Sequence, residues 1–350
     1  MTAKLKAENR NNLSDPPDKK AFRQSLLSWY DTKRRDLPWR AAPGNSPDPY
    51  HVWLSEIMLQ QTTVQSVIPY FLYFINKWPQ IENLANAKDE DVMASWAGLG
   101  YYARARNLLK CARIVSQSPY NGNFPSSEKD LLKLPGIGPY TAAAMTSIAF
   151  DKPSVVIDGN IERVISRVFA IQTPLPDSKQ EIAKCAASLA KDCEDRPGDY
   201  AQAMMDLGAT ICIPKSPLCF SCPVQPFCKA YSLNLQGDLP RKKQKPARPT
   251  RTGIFFWIEN EFGEILIERR DDKRMLGGMT GLPGSDWDNK KNPEKLAEEL
   301  SEIIHNAEIV SEISSQDGVH HSFTHFHLKA GIKKLRLVKD SYPVSLDHKV

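Results

Sequence analysis

The sequence contains no long hydrophobic run, which excludes a membrane-spanning helix. In its 350 residues no apolar stretch approaches the roughly 18 to 20 residues that cross a bilayer. The first twenty residues hold acidic side chains and no apolar core segment, so we expect neither a secretory signal nor a transit peptide. We therefore expect a cytoplasmic protein that does not associate with membranes.

An even, paired set of cysteines is also missing, which argues against a disulfide framework. Seven cysteines in a long chain without a secretory signal favour a metal site in a reducing compartment. Three of them lie in helical stretches and are expected to be structural, namely Cys111, Cys185 and Cys193. The other four cluster within seventeen residues, at Cys212, Cys219, Cys222 and Cys228.

The clustered cysteines have the spacing Cys-x6-Cys-x2-Cys-x5-Cys. Prolines interleave them, which favours a tight irregular loop over a continuing helix. Four thiolates suit either a tetrahedral zinc ion or an iron–sulfur cluster. Zinc sites usually show two short pairs, and only Cys219 and Cys222 form one here. The spacing by itself leaves both metals open.

Composition and periodicity divide the chain into four segments. Residues 1–19 form a polar, flexible tail, and residues 20–230 form a mainly helical domain with proline and glycine breaks between its helices. Residues 231–250 lack periodicity and are rich in proline and basic residues, so we expect a basic linker. Residues 251–345 combine strand-like segments with one helical segment and predict a small α/β domain.

The helical domain has predicted helices over 21–34, 49–78, 89–99, 102–118, 141–150 and 161–170. The α/β domain has predicted strands over 252–260, 263–270, 319–332 and 333–340 and a helix over 293–306. Charge is unevenly distributed: the net charge is +5, and six basic residues but no acidic one lie from Arg241 to Arg251. This distribution favours a polyanionic partner.

Two turns precede helical segments in the first domain. The glycines Gly136 and Gly138 allow a tight turn whose free N–H groups, at a helix start, bind phosphate without regard to base sequence. Further on, Asp158-Gly159-Asn160 opens the next helix. Taken alone, the glycine turn is structural and Asp158 is an N-cap.

Together with the cysteine spacing, the motifs LPGIGPYTA and VIDGNIERVISRVFA resemble those of the endonuclease III/MutY family of helix–hairpin–helix DNA glycosylases. The resemblance implies a helix–hairpin–helix over about 131–150, a [4Fe–4S] loop over 212–228 and a catalytic Asp158, an anion beside a sugar that develops positive charge at C1′. Members that also cut the strand carry a lysine where this chain has Tyr140, and a phenol cannot form a Schiff base. The resemblance therefore implies a monofunctional glycosylase.

The motif WLSEIMLQQT, at residues 53–62, closely resembles the adenine-glycosylase signature of that family. There the acid, here Glu56, protonates the purine as it leaves, which requires a carboxyl whose pKa is raised by a semi-apolar pocket. From the helical pattern alone, Glu56 is an exposed acid. The family implies that Asp158 stabilises or transiently bonds C1′ before water enters from the same face. It also implies that Tyr140 and Asn160 support these charges.

The same resemblance assigns contacts to DNA. By family match, Gln61 and Tyr101 insert near the lesion, because an extruded base leaves a gap in the stack. Thr62 matches a contact to the oxidised guanine. Without the family, Tyr101 would be assigned to core packing.

The second domain resembles the MutT-like C-terminal domain of adenine glycosylases, in which a Phe-Ser-His loop recognises 8-oxoguanine. This chain has Phe323-Thr324-His325, where threonine keeps the hydroxyl and adds a methyl group. Residues 276–283 are similar to the MutT loop, but no acid-rich Arg-Glu-x-x-Glu-Glu run follows them. The resemblance implies lesion recognition without nucleotide hydrolysis. Without it, the histidine-rich segment would be a strand with aromatic faces.

These motifs together predict a mainly α catalytic domain and a smaller α/β domain, acting as a monomer on double-stranded DNA. The expected reaction is hydrolytic removal of adenine mispaired with 8-oxoguanine or guanine. A related glycosylase for damaged pyrimidines is one alternative, which Tyr140 and the second domain disfavour. A non-catalytic lesion-binding protein is another, which the pair Glu56 and Asp158 disfavours. The sequence does not identify a protein partner.

Overall fold

The computed structural model describes residues 18–190, 195–244, 246–270, 275–285, 287 and 307–337. The chain divides into two compact units, Met1–Lys243 and Gln244–Val350. The predicted tail up to residue 17, Cys193 and the predicted helix over 293–306 lie outside the described residues. Among the residues described, no helix is long and apolar enough to cross a membrane.

The first unit is helical, as its periodicity predicts. Its described helices are α1 (Lys19–Lys33), α2 (Pro49–Leu59), α3 (Val64–Lys77), α4 (Ile81–Ala85), α5 (Asp89–Ser95), α6 (Ala103–Val115), α7 (Glu128–Leu131), α8 (Pro139–Ile148), α9 (Gly159–Val168), α10 (Lys179–Ala190), α11 (Pro197–Thr210) and α12 (Lys229–Ser232). Apolar side chains from α1 to α11 share one continuous core. Burial of this apolar surface is the main force that holds the unit together.

The predicted helix over 49–78 is two helices in the structure. Helix α2 ends at Leu59, Gln61 has a left-handed φ of 59°, and the Thr63 side chain accepts a hydrogen bond from the Ser66 backbone N–H to begin α3. The prediction of one helix was wrong because the apolar residues recur on both sides of the break. The break creates a four-residue loop at 60–63.

Helix α11 was not predicted, whereas α10 was expected only as a helical stretch around Cys185 without stated bounds. Helix α11 carries many small residues and is buried on most of its faces, so its sequence shows no single apolar stripe. Small residues permit close packing: a Cβ atom on Gly208 would lie 2.6 Å from the Cβ of Asn160. Helix α11 is thereby brought against the start of α9.

The segment predicted as a linker over 231–250 begins later in the structure. Leu239 is buried, and Leu175 exchanges backbone hydrogen bonds with Arg241 and Lys243 at 2.8 and 3.0 Å. The division between the units falls after Lys243. Basic composition indicated an exposed linker, but composition does not reveal this backbone pairing.

The second unit contains the strands β1 (Thr250–Glu259), β2 (Glu268–Arg269), β3 (Thr280–Gly281), β4 (Ala307–Ile313), β5 (Val319–Ser322) and β6 (His327–Leu337). Strand β6 pairs in parallel with β1 and antiparallel with β4 and β5. The predicted strands over 319–332 and 333–340 are divided differently, because a turn follows Ser322 and β6 then runs through to Leu337. Strand β4 was not predicted. Within the predicted strand over 263–270, only Glu268–Arg269 forms a strand, β2.

Candidate active site

A cavity of about 490 Å³ lies in the first unit. Its lining includes the four residues predicted as catalytic: Glu56, Tyr140, Asp158 and Asn160. Glu56 comes from α2, Tyr140 from the first turn of α8, and the other two from the start of α9. Its volume lies within the range of sites that enclose small molecules. The structure thus brings the two distant carboxyls to one cavity.

Glu56 is buried, with 5% of its surface exposed. Its Oε2 atom has no hydrogen-bond partner among the described residues. Burial raises the pKa of Glu56 to about 7, and nearby Asp158 adds to the rise, while a hydrogen bond from Tyr140 and the Arg40 charge oppose it. The pattern-based expectation of an exposed acid was wrong, since α2 is buried on almost every side. Glu56 can therefore hold a proton near neutral pH.

Tyr140 follows Pro139 at the beginning of α8. Burial, and then the charges of Glu56 and Asp158, raise the pKa of Tyr140 well above its ordinary value. Its hydroxyl lies 3.5 Å from the Met205 sulfur. The phenol is therefore neutral and acts as a hydrogen-bond donor beside both carboxyls.

Asp158 is the N-cap of α9. Its Oδ1 accepts from the Ile161 N–H at 2.7 Å, and its Oδ2 accepts from Asn160 Nδ2 at 2.8 Å. Asn160 in turn accepts from Arg163 Nη2 at 2.9 Å, and Arg163 also donates to the carbonyl of Cys212 at 2.7 Å. Both carboxylate oxygens are held in fixed directions, and a chain of hydrogen bonds joins Asp158 to the cysteine loop.

Glu56→Gln is expected to change how stability depends on pH. Burial raises the pKa of Glu56 to about 7 in the folded chain. The contribution of this carboxyl to the free energy of unfolding is therefore fully present below the ordinary pKa of glutamate and is lost as the pH rises through 7. Glutamine does not ionise. Between pH 4 and pH 8 the variant should gain about 3 kcal/mol in free energy of unfolding relative to the parent. Urea denaturation of parent and variant at both pH values measures this gain. If the free energies of unfolding of variant and parent differed by the same amount at pH 4 and pH 8, the prediction would be contradicted.

The sequence did not point to a second buried charge cluster on the cavity wall. Asp206 of α11 is fully buried and accepts hydrogen bonds from Arg40 at 2.7 and 2.8 Å and from Arg35 at 2.5 Å. Although burial disfavours its charge, the hydrogen bonds from Arg40 hold the pKa of Asp206 below its ordinary value. Arg35 and Arg40 line the cavity. In the sequence, only the arginines near Trp39 could have indicated this cluster.

Five of the residues predicted to contact DNA lie in the first unit, at loops or at the start of a helix: Gln61, Thr62, Tyr101, Gly136 and Gly138. Gln61 and Thr62 line the cavity. Tyr101 is outside its lining, 49% exposed, with a left-handed φ of 50°. Gly136 has a φ of 78° in the turn before α8, and Gly138 is the N-cap of that helix.

The four clustered cysteines line one pocket, together with Arg167 and Gln236. They lie on a loop with 3₁₀ turns at Cys219–Ser221 and Gln225–Phe227, which agrees with the predicted irregular loop. Arg167 Nη1 donates to Cys212 Sγ at 3.2 Å, and the four thiols are free of disulfides. No group of three metal-ligating side chains is placed to hold an ion within the described part of the chain.

This donor set fits an iron–sulfur cluster. Four free thiols face one pocket, a buried guanidinium can offset their negative charge, and Gln236 Oε1 is a buried atom without a hydrogen-bond partner among the described residues. Burial raises the pKa of Cys222 to about 12 and of Cys228 to about 11. Binding of a metal by the Cys222 and Cys228 thiols would displace their protons.

Phe323, Thr324 and His325 form the turn between β5 and β6 in the second unit. The Phe323 N–H donates to the Phe326 carbonyl at 2.9 Å, and the Phe323 ring stacks on Trp287 with centroids 5.7 Å apart. Thr324 and His325 are exposed. The turn is therefore closed by its own backbone.

Comparison with known proteins agrees with this geometry. Residues 54–191 match a family described as the HhH-GPD superfamily base excision DNA repair protein, and residues 254–345 match a NUDIX domain. An adenine DNA glycosylase of Buchnera aphidicola subsp. Acyrthosiphon pisum is 34% identical over 317 residues, covering 90% of this chain and 87% of that protein. The chain belongs to the adenine DNA glycosylase family. This confirms the predicted family and the predicted fold class.

Other relatives and solved structures match over only part of this chain. The adenine DNA glycosylase of Mus musculus is 46% identical over 243 residues, covering 67% of this chain and 46% of that protein. The chain thus spans about half the length of that relative. A thermostable thymine-DNA glycosylase structure is 30% identical with a TM-score of 0.52, covering 61% of this chain and 97% of its own. A trapped endonuclease III–DNA covalent intermediate, 22% identical with a TM-score of 0.50 and covering 62% and 96%, shares the fold.

Proposed function

We propose that the protein is a monofunctional DNA glycosylase that removes adenine mispaired with 8-oxoguanine or guanine in duplex DNA. The observation that carries the proposal is the shared cavity, which holds a buried Glu56 beside Asp158. Burial favours the protonated form of Glu56, whereas Asp158 accepts a hydrogen bond at each of its two carboxylate oxygens. Their pairing matches the needs of a reaction that protonates a base and stabilises a cationic sugar.

Glu56 supplies the proton to a ring nitrogen of the extruded adenine. Its Oε2 atom lacks a hydrogen-bond partner among the described residues, so a bound base would satisfy it. The Tyr140 hydroxyl, which also lines the cavity, would donate to the Glu56 carboxylate that remains after the proton is transferred. When the bond from C1′ to the base breaks, its electron pair passes to the base, whose added proton makes the base a better leaving group.

Asp158 stabilises the positive charge at C1′. The Ile161 N–H and the Asn160 amide hold its two oxygens, so the carboxylate need not reorganise during the reaction. Water then adds to C1′ and gives its proton to the Glu56 carboxylate, which restores the starting state. No lysine stands at position 140, so no Schiff base forms there.

Recognition of DNA uses surfaces outside the cavity. The start of α8 at Gly138 would bind backbone phosphate through its N–H groups. Gln61 and Tyr101 would fill the gap left by the extruded base, and Thr62 would contact the opposite guanine. In the second unit, Phe323-Thr324-His325 would recognise 8-oxoguanine through the Thr324 hydroxyl.

A base-release assay on matched duplexes tests this function. Duplexes containing A:8-oxoguanine, A:G, A:T and oxidised thymine are incubated with excess protein, and abasic sites are cleaved with alkali. We expect release from the first two duplexes and no strand cleavage without alkali. Release only from the thymine duplex would support the pyrimidine alternative, which the similarity to a thymine-DNA glycosylase structure favours. Binding without release would support the non-catalytic alternative.

We further propose that Cys212, Cys219, Cys222 and Cys228 bind a [4Fe–4S] cluster. When bound, the cluster would cross-link the cysteine loop. Arg163 and Arg167 of α9 already contact this loop at Cys212. Protein purified without oxygen should be brown and contain about four irons per chain. Cys222→Ser should lower the iron content, whereas Cys111→Ser should leave it unchanged, since Cys111 is buried in the helical core. A colourless protein that contains zinc would refute the cluster.

A further inference from the structure

Arg104, at the beginning of α6, is a buried arginine that makes no salt bridge among the described residues. Its Nη1 donates to the carbonyls of Ile57 and Met58 at 3.2 and 2.9 Å and also to that of Gln60. Its Nη2 donates to Thr62 Oγ1 at 3.1 Å and to the carbonyls of Leu99 and Gly100 at 3.0 and 3.4 Å. One guanidinium therefore binds two separate loops.

Each of the two loops contains a residue with a left-handed backbone next to the residues that Arg104 contacts. Gln61 lies between two residues that Arg104 holds, and Tyr101 directly follows two others. Gln61 and Tyr101 both have left-handed backbones, with φ of 59° and 50°, a conformation that residues other than glycine adopt at a cost in free energy. Such a conformation persists where surrounding contacts enforce it. The Arg104 hydrogen bonds supply such contacts on both sides of Gln61 and immediately before Tyr101.

The chemistry of arginine suits this position. The last carbonyls of a helix lack the regular N–H partners four residues ahead, and a cation near them is favourable. The planar fork directs several N–H groups at once, which an ammonium cannot do in the same plane. The guanidinium also lies 5.4 Å from the ring centroids of Trp96 and Tyr101. The second of these contacts connects it directly to one of the exposed side chains.

We propose that Arg104 is a positioning residue that fixes the loops at 60–63 and 99–102 relative to each other, so that Gln61 and Tyr101 enter the DNA stack as one unit. This inference rests on the proposed function. Its consequence is that extrusion of the target base depends on a residue that itself lines neither the cavity nor the exposed surface. Thr62 is oriented by the same group, because its Oγ1 accepts from Arg104 and donates to the Gln60 carbonyl, which Arg104 also contacts.

The first test measures base extrusion. A duplex with 2-aminopurine beside the target adenine becomes more fluorescent when that neighbour unstacks. Arg104→Gln should abolish the fluorescence rise and lower the single-turnover rate of adenine release about 100-fold, as expected for misplacement of groups remote from the reaction. Arg104→Lys, which retains the charge, should give intermediate values. A parental fluorescence rise and rate in both variants would overturn the inference.

The matched control is Arg113→Gln. Arg113 lies on the same helix and also donates to backbone carbonyls, those of Ala85 and Ala87, but contacts neither loop. It should leave extrusion and rate unchanged. A loss in Arg113→Gln equal to that in Arg104→Lys would show a general effect on α6 and would overturn the inference.

A second measurement needs no DNA and separates this inference from the proposed function. Amide hydrogen exchange of the free protein should increase together at 60–63 and 99–102 in Arg104→Lys, and in neither loop in Arg113→Gln. Faster exchange in one loop alone would overturn the coupling. If the parent released no adenine while this exchange pattern held, the proposed function would fail and the structural role of Arg104 would stand.

Discussion

Asp158→Asn is expected to lower the single-turnover rate of adenine release by about 1,000-fold or more, while binding to the duplex is retained. The substitution removes the negative charge beside C1′ without removing the helix cap, because the asparagine oxygen still accepts from the Ile161 N–H. The amide nitrogen of the new side chain would face the Asn160 Nδ2, a donor opposite a donor. The variant therefore loses both the charge and the hydrogen bond that orients it.

A control variant tests whether the loss of rate is specific to the charge of Asp158 or follows from removing any acid near the start of α9. Glu162→Gln removes an acid from the first turn of α9 that does not line the cavity. It should retain the parental rate. Filter binding at several salt concentrations checks that both variants still bind DNA. An Asp158→Asn variant that binds DNA and releases adenine at the parental rate would show that Asp158 is not the stabilising anion.

Glu56→Gln is expected to reduce adenine release by about 100- to 10,000-fold, the usual contribution of a general acid. Glutamine preserves the size of the buried side chain but has no proton to transfer. Single-turnover assays at pH 6 measure the loss directly. A rate within a few-fold of the parent would remove Glu56 from the mechanism.

The pH profile of the parent provides an independent check on Glu56. Burial raises the pKa of Glu56 to about 7, and the acid must be protonated to act. The parental rate should therefore be high below pH 7 and fall about tenfold per pH unit above it. The residual rate of Glu56→Gln should lack this decline. A parental rate that increases steadily from pH 6 to pH 9 would show that the protonated carboxyl is not required.

The fold illustrates where sequence periodicity succeeds and where it fails. Helices α1 and α9 were predicted to within about two residues, because each has one apolar stripe and an aspartate cap. Helix α11 was missed because burial on most sides hides its period. The break between α2 and α3 was missed because a single left-handed residue, Gln61, interrupts an otherwise continuous apolar pattern. Strand β4 gave no distinct signal.

The sequence by itself determined which chemistry is present. The cysteine spacing, the Gly-x-Gly turn and the acids of two motifs are local features. Each depends on residues that are close together in the chain, so each can be recognised in the sequence. Only the tertiary structure decided that Glu56 is buried, that Asp158 shares its cavity, and that Arg104 holds two loops at once. The physical reason is that burial and charge environment depend on neighbours from distant parts of the chain. Protonation and orientation are properties of that environment and are absent from the residue alone.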